Sequence, residues 1–100
     1  MAVARRPVAH GEIEGSATAK QLPNIACSGT VKLKAVGVNT GNVYVGMSNA
    51  VTTPGSSQDV TTGYELDAGA EIEIALENLN ELWIICDNAT DDLTYLIIGR

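Results

Sequence analysis

The stretch Glu71-Ile72-Glu73-Ile74-Ala75-Leu76 decides the fold class, because its large apolar residues recur at every second position. A period of two places Ile72, Ile74 and Leu76 on one face of a β-strand and the glutamates on the other. Val31-Lys32-Leu33-Lys34-Ala35 alternates in the same way, so its lysines are expected in water and its apolar residues in the core. The two stretches predict antiparallel strands with one buried and one wet face.

Other short apolar runs extend this pattern in both directions along the chain. Residues 82–86 and 93–98 are apolar on both faces, which predicts strands that are central in a sheet or covered at an interface. Residues 50–63 are rich in Thr, Ser and Gly and predict a long excursion without a strand. The turn at residues 39–42 is expected to contain a positive φ at Gly41 or at one of its asparagines.

No stretch has a helical period of useful length, and six or seven short strands separated by Gly and Asn are typical of an all-β domain. We therefore predict a small antiparallel β-sandwich or jelly-roll-like barrel over residues 21–100. Residues 1–20 are rich in Ala, Gly, Ser and charge and have no sustained period. They predict an extended N-terminal arm, either flexible or ordered by a partner.

The charges are unevenly distributed along the chain, whose net charge is −6. Every Lys and Arg lies within residues 1–34 or at Arg100, whereas ten acidic residues lie between Ala35 and Gly99. Such a field repels phosphate, so neither a nucleic-acid nor an anionic membrane partner is expected.

No apolar run reaches about 18 residues and no signal peptide begins the chain, so we expect a soluble protein made in a cytosol. Cys27 and Cys86 are accordingly expected as buried free thiols.

The polar residues offer few catalytic or metal-binding arrangements. His10 is the single histidine and lies in the predicted arm, so no His-based triad is expected. In the turn at residues 87–92 the side-chain oxygens of Asp87, Asn88, Asp91 and Asp92 could hold calcium, but the glycine and the distal Glu of a calcium loop are missing. A solvated acidic turn is the favoured interpretation. We expect no catalytic residues, no metal and no cofactor.

Two groups of residues are candidates for contacts with other proteins. Arg5 and Arg6 form the positive end of the arm on an acidic body, so they could reach an acidic groove on a neighbouring subunit, the alternative being a solubilising tail. Trp83 lies in a doubly apolar run, where a core position is favoured over an interface. The candidates for an oligomer interface are Trp83, Ile85, Leu96 and Ile98.

Several runs of turn and strand residues resemble a family of small virion proteins of tailed bacteriophages. These runs are Gln21-Leu22-Pro23, Asn39-Thr40-Gly41-Asn42-Val43-Tyr44-Val45-Gly46-Met47-Ser48-Asn49, Leu66-Asp67-Ala68-Gly69-Ala70-Glu71-Ile72 and Glu77-Asn78-Leu79-Asn80-Glu81-Leu82-Trp83-Ile84. The resemblance covers residues 19–98 and leaves the arm out. It implies a non-enzymatic β-sandwich protein of the capsid decoration, or cement, type, with no catalytic residues to carry over.

The expected function is therefore capsid decoration on the outer surface of a phage head, by a protein made in the host cytoplasm. The expected partners are the major capsid protein, whose subunit contacts it would stabilise, and further copies in a dimer or trimer. The arm is expected to bind the capsid through Val3, Arg5, Arg6, Pro7 and His10. Deleting residues 1–10 is then expected to abolish capsid binding and to leave the fold intact.

The alternative function is a carbohydrate-binding or host-adhesion module of a phage tail or head fibre. Its hydrogen bonds would come from loop residues, but sugar sites usually include an exposed aromatic ring, and only Tyr44 or Tyr64 lies near these loops. The loop residues are Asn39, Asn42, Asn49, Ser56 and Ser57.

Overall fold

The alternating stretches fold as strands of two antiparallel sheets in a computed structural model that describes residues 7–55 and 59–98. Within these two ranges, eight strands follow one another, with one 3₁₀ turn at Leu79–Glu81. The strands are β1 (Pro7–Ile13), β2 (Lys20–Gln21), β3 (Ala26–Ala35), β4 (Val43–Gly46), β5 (Tyr64–Leu66), β6 (Glu71–Asn78), β7 (Trp83–Cys86) and β8 (Leu93–Ile98).

The strand order is that of a jelly roll. Sheet A has the order β1-β8-β3-β6 and sheet B the order β2-β7-β4-β5. β1 pairs with β8, β2 with β7, β3 with β6 and β4 with β5. These four pairs are the ones that form when the whole chain folds back on itself as one long hairpin. The hairpin is rolled up because β8 also pairs with β3 and β7 with β4. This arrangement confirms the predicted all-β sandwich and its jelly-roll form.

The core lies between the inner faces of the two sheets, where the alternation of β3 and β6 predicts it. Val31, Leu33 and Ala35 are fully buried, and Val31 lies opposite Ile74 on β6 and Ile97 on β8. The predicted central positions of β7 and β8 are confirmed, since each has a strand on both sides. Both cysteines are buried and free, as expected.

The predicted arm requires correction from residue 7 onward. Pro7–Ile13 forms β1, which runs antiparallel to β8 as far as the pair Ile13 and Leu93, and Ile13 is 4% exposed in the core. The inward-facing residues before Ile13 are Ala9 and Gly11, too small to give an apolar period. A side chain at position 11 would meet Tyr95, since a Cβ there would lie 2.7 Å from its hydroxyl oxygen. Deleting residues 1–10 would therefore remove half of a strand, so a truncation that tests the arm must end at Arg6.

The predicted excursion after β4 contains no named strand in its described residues, and it covers part of the outer face of sheet B. Val51 is 6% exposed, and a Cβ on Gly46 would lie 2.6 Å from its Cβ. Gly63 approaches Tyr44 almost as closely, because a Cβ on Gly63 would lie 2.8 Å from the Tyr44 Cβ. Tyr44 is consequently 4% exposed although it points away from the core.

Candidate interaction surfaces

Three aspartates of the 87–92 turn fasten the loops at one end of the sandwich, and we call them the acidic clamp. Asp91 Oδ1 accepts hydrogen bonds from the backbone N–H groups of Thr40 (3.0 Å) and Gly41 (3.2 Å). Asp92 Oδ1 accepts one from the Gly15 N–H at 3.0 Å. The third member, Asp87, accepts the Asn42 N–H through Oδ2 at 2.9 Å. The clamp therefore joins three loops that are distant in sequence.

Asp91 is the centre of the clamp and is only 1% exposed. Its Oδ2 accepts from the backbone N–H of Asn88 at 3.1 Å and from the Asn88 side-chain amide at 3.0 Å. Burial by itself raises the pKa of this carboxyl, but the hydrogen bonds from Gly41, Asn88 and Thr40 outweigh burial and lower the pKa below its ordinary value. The prediction of a solvated acidic turn was therefore wrong at Asp91. The sequence gives no sign that the amides of a loop about 50 residues earlier converge on this carboxylate.

Gly41 serves the clamp in a way that the turn pattern does not indicate. Among the described residues, positive φ angles occur at Ser28 (43°) and Gly69 (82°), so the positive φ expected in the 39–42 turn is absent from it. A Cβ on Gly41 would instead lie 2.6 Å from the Cβ of Asp87 and 2.7 Å from Asp91 Oδ2. Glycine is required here for close approach to the acidic clamp.

The residues expected to bind a capsid are only partly covered by the structure. Val3, Arg5 and Arg6 lie outside the described residues. Pro7 opens β1 opposite Ile98, and His10 is exposed opposite Leu96. His10 and Leu96 point away from the core, since their chain neighbours Ala9 and Ile97 pack on it.

The four candidates for an oligomer interface lie on opposite sides of the molecule. Trp83 and Ile85 are on the outer face of sheet B, because the residues that alternate with them along β7, Ile84 and Cys86, are buried in the core. Leu96 and Ile98 are on the outer face of sheet A. All four side chains are partly exposed, so each face carries a pair.

The core position favoured for Trp83 was wrong. Its side chain is partly exposed on β7, between Gln21 on β2 and Gly46 on β4. A strand that is apolar on both faces leaves the direction of each side chain undetermined by the sequence pattern.

Two of the asparagines proposed for sugar binding have internal partners instead. The Asn39 side chain donates to the Asp92 carbonyl at 2.9 Å and accepts the Asp92 N–H at 2.9 Å. The Asn42 amide donates to Glu65 Oε2 at 2.7 Å. Asn49 is exposed, whereas Ser56 and Ser57 lie outside the described residues. The side-chain amides of Asn39 and Asn42 therefore hold loops together through hydrogen bonds.

One surface was missed altogether: an apolar cleft beside β6, which we call the edge cleft. It has a volume of about 410 Å³ and opens between the free edges of the two sheets. Met47 and Tyr64, each 65% exposed, form one wall, and Ile72 and Ile74 form the other. The remaining lining residues are Val45, Gly46, Glu73 and Leu82. The sequence does not predict this cleft, because it exists only where the three-residue β5 is too short to cover β6.

Comparisons of the chain with protein-family models, with curated proteins and with solved structures found no match. The resemblance to phage virion proteins therefore stays a prediction. In the described part of the chain, no helix has the length and apolar character to cross a membrane.

Proposed function

We propose that this protein is a non-enzymatic capsid decoration protein, which binds the outside of a bacteriophage head and stabilises contacts between major capsid protein subunits. The observation that carries the proposal is the outer face of sheet A. There, Leu96 and Ile98 are partly exposed, and His10 lies beside them on β1. An apolar pair with a polar surround is the composition of a small protein-binding surface.

The jelly roll supports this assignment as a scaffold. Jelly rolls occur in viral capsid domains as well as in other proteins, so the fold is compatible with decoration without specifying it. The acidic clamp fixes one end of the sandwich through hydrogen bonds from two other loops. A rigid body loses little conformational entropy when it binds, and several weak contacts in an oligomer add by avidity.

The two outer faces support the proposed partners. The face of sheet A would meet the major capsid protein, and Trp83 and Ile85 on sheet B remain available to another copy in a dimer or trimer. Val3, Arg5 and Arg6 precede β1 in the chain and would attach each copy to a neighbour on the shell. The acidic residues on the rest of the body would keep decorated particles mutually repulsive.

Co-sedimentation with purified heads tests this proposal, with tails and host cells as parallel samples. The protein is expected to bind heads saturably. Leu96→Asp places a charge in the proposed contact and is expected to weaken binding to heads about tenfold or more. Val38→Asp introduces the same charge at a loop tip where the native side chain is 86% exposed, and it is expected to bind normally.

Equal binding of the two variants would remove the face of sheet A from the contact. Binding to tails or host cells without binding to heads would contradict decoration and favour the adhesion module. The internal hydrogen bonds of Asn39 and Asn42 give that alternative no support of their own.

A further inference from the structure

Strand β6 offers an open edge to a further strand. It pairs with β3 on one side and, among the described residues, with no strand on the other. At its C-terminal end the Glu81 carboxylate accepts the N–H groups of Glu77 (2.9 Å) and Asn78 (2.8 Å), so the side chain closes that end. Residues 71–76 remain as an edge with alternate backbone groups directed outward, the arrangement to which an extended peptide adds.

The two sides of this edge differ in chemistry. On the inner side lies the edge cleft, where Ile72 and Ile74 face Met47 and Tyr64. On the outer side lie the exposed glutamates Glu71, Glu73 and Glu77. A strand added to β6 would therefore place alternate side chains in an apolar cleft and the others beside carboxylates.

The charge at this edge favours a basic segment. β5 and β6 contain no Lys or Arg. The nearest cations on the paired strand are Lys32 and Lys34, and the Lys32 ammonium lies 3.6 Å from the Glu71 carboxylate. Glu73 lies opposite Lys32 in the strand register, whereas Glu77 has no lysine opposite it on β3. Carboxylates along a free edge also disfavour pairing of β6 with β6 of another copy, since like charges would meet.

Residues 1–6 of the chain, Met-Ala-Val-Ala-Arg-Arg, have the matching chemistry. In an extended conformation Met1, Val3 and Arg5 would lie on one side of the segment, and Arg6 would lie on the other. Six extended residues span about 20 Å, the length of the open part of β6. The segment joins the chain at β1, which is the opposite edge of sheet A, so these six residues could not both cross the sheet and pair along β6 of the same copy.

We infer that residues 1–6 of one copy add as a strand to β6 of a second copy, with Met1 and Val3 in the edge cleft, Arg5 following them on the same side, and Arg6 on the side of Glu73 and Glu77. The contact joins two different surfaces, so successive copies associate head to tail and close into a ring such as a trimer. The arm then promotes capsid binding by joining copies to one another. This inference concerns the protein alone and does not depend on the decoration proposal.

Charge exchange tests the inference by sedimentation velocity over a concentration series, without capsids. Arg5→Glu/Arg6→Glu and Glu73→Arg/Glu77→Arg are each expected to raise the dissociation constant of the oligomer about tenfold or more, because like charges replace opposite ones. The quadruple variant is expected to associate as the wild type does. Glu12→Arg/Glu14→Arg makes the same change of charge at exposed positions on the β1 side of sheet A and is expected to have no effect.

Circular dichroism establishes that each variant keeps the wild-type fold. A wild type that is monomeric at tens of micromolar, an arginine variant with an unchanged dissociation constant, or a quadruple variant that does not recover would each contradict the inference. Arm variants that keep the oligomer but no longer bind heads would also contradict it, and they would leave the decoration proposal standing with direct contact between arm and capsid.

Discussion

Asp91→Ala is expected to lower the free energy of unfolding by about 3 kcal/mol, because it removes the acceptor of four hydrogen bonds from a buried site. The backbone N–H groups of Thr40, Gly41 and Asn88 would lose their partner, and so would the Asn88 amide. Urea denaturation at pH 7 measures the loss. Asp59→Ala is the matched control, since the side chain of this exposed aspartate accepts hydrogen bonds from Thr61, two residues away, and a much smaller change in stability is expected.

The effect of Asp91 depends on pH with a definite sign. The pKa of this carboxyl is lowered in the folded protein, so its stabilisation is fully present above the unfolded value of about 3.9 and is lost as the pH falls through the folded value. The difference in stability between wild type and Asp91→Ala is therefore expected to be constant near neutral pH and to shrink below about pH 4. A difference that stays the same down to pH 3, or a variant as stable as Asp59→Ala, would contradict the role assigned to the acidic clamp.

Gly15→Ala is expected to destabilise the protein by a similar amount, about 2–4 kcal/mol. A Cβ at this position would overlap the carbonyl oxygen of Asp91 and lie 2.8 Å from its carbonyl carbon. Both atoms belong to the backbone and cannot rotate away, so the loop would move and the hydrogen bond from the Gly15 N–H to Asp92 would be strained. The measurement is the midpoint of thermal or urea unfolding.

Gly37→Ala provides the comparison for this substitution, because a Cβ there would meet nothing within 4 Å. A change within about 0.5 kcal/mol is expected at that position. If the two alanine variants proved equally stable, the close packing of Gly15 under the 87–92 turn would not hold the loops as described.

The strands with one solvent-exposed face could be predicted from the sequence, because their apolar residues all face the core and their polar residues all face the solvent. In β3 and β6, alternation alone assigned Val31, Leu33 and Ile74 to the core side. Where a strand was apolar on both faces, as in β7, the sequence could place the strand but not the direction of Trp83. β1 was missed because its inward residues Ala9 and Gly11 are small.

The features that depend on distant contacts could not be predicted. Asp91 was recognised as part of a polar turn, but its burial results from amides of residues 40 and 41 that only the rolled topology brings near. The edge cleft results from the shortness of β5 relative to β6, which places Tyr64 opposite Ile72 and Ile74 across the gap between sheets. Both are properties of the assembled sheets, and neither corresponds to a local motif.

The acidic clamp and the edge cleft differ in what they contribute to the sandwich: the clamp stabilises its shape, and the cleft offers a surface for binding. Side-chain hydrogen bonds hold the loops that carry the clamp, whereas the outer edge of β6 pairs with no strand in the described part of the chain and has partly exposed apolar residues such as Ile72. A decoration protein requires both a body that keeps its shape and surfaces that join its neighbours.

Electron cryo-microscopy of the native virion tests the proposed function most directly. We predict density for a small two-sheet domain at regular lattice positions on the outside of the head, with the face that carries Leu96 and Ile98 towards the major capsid protein. Heads without this density, together with density confined to the tail or its fibres, would contradict capsid decoration.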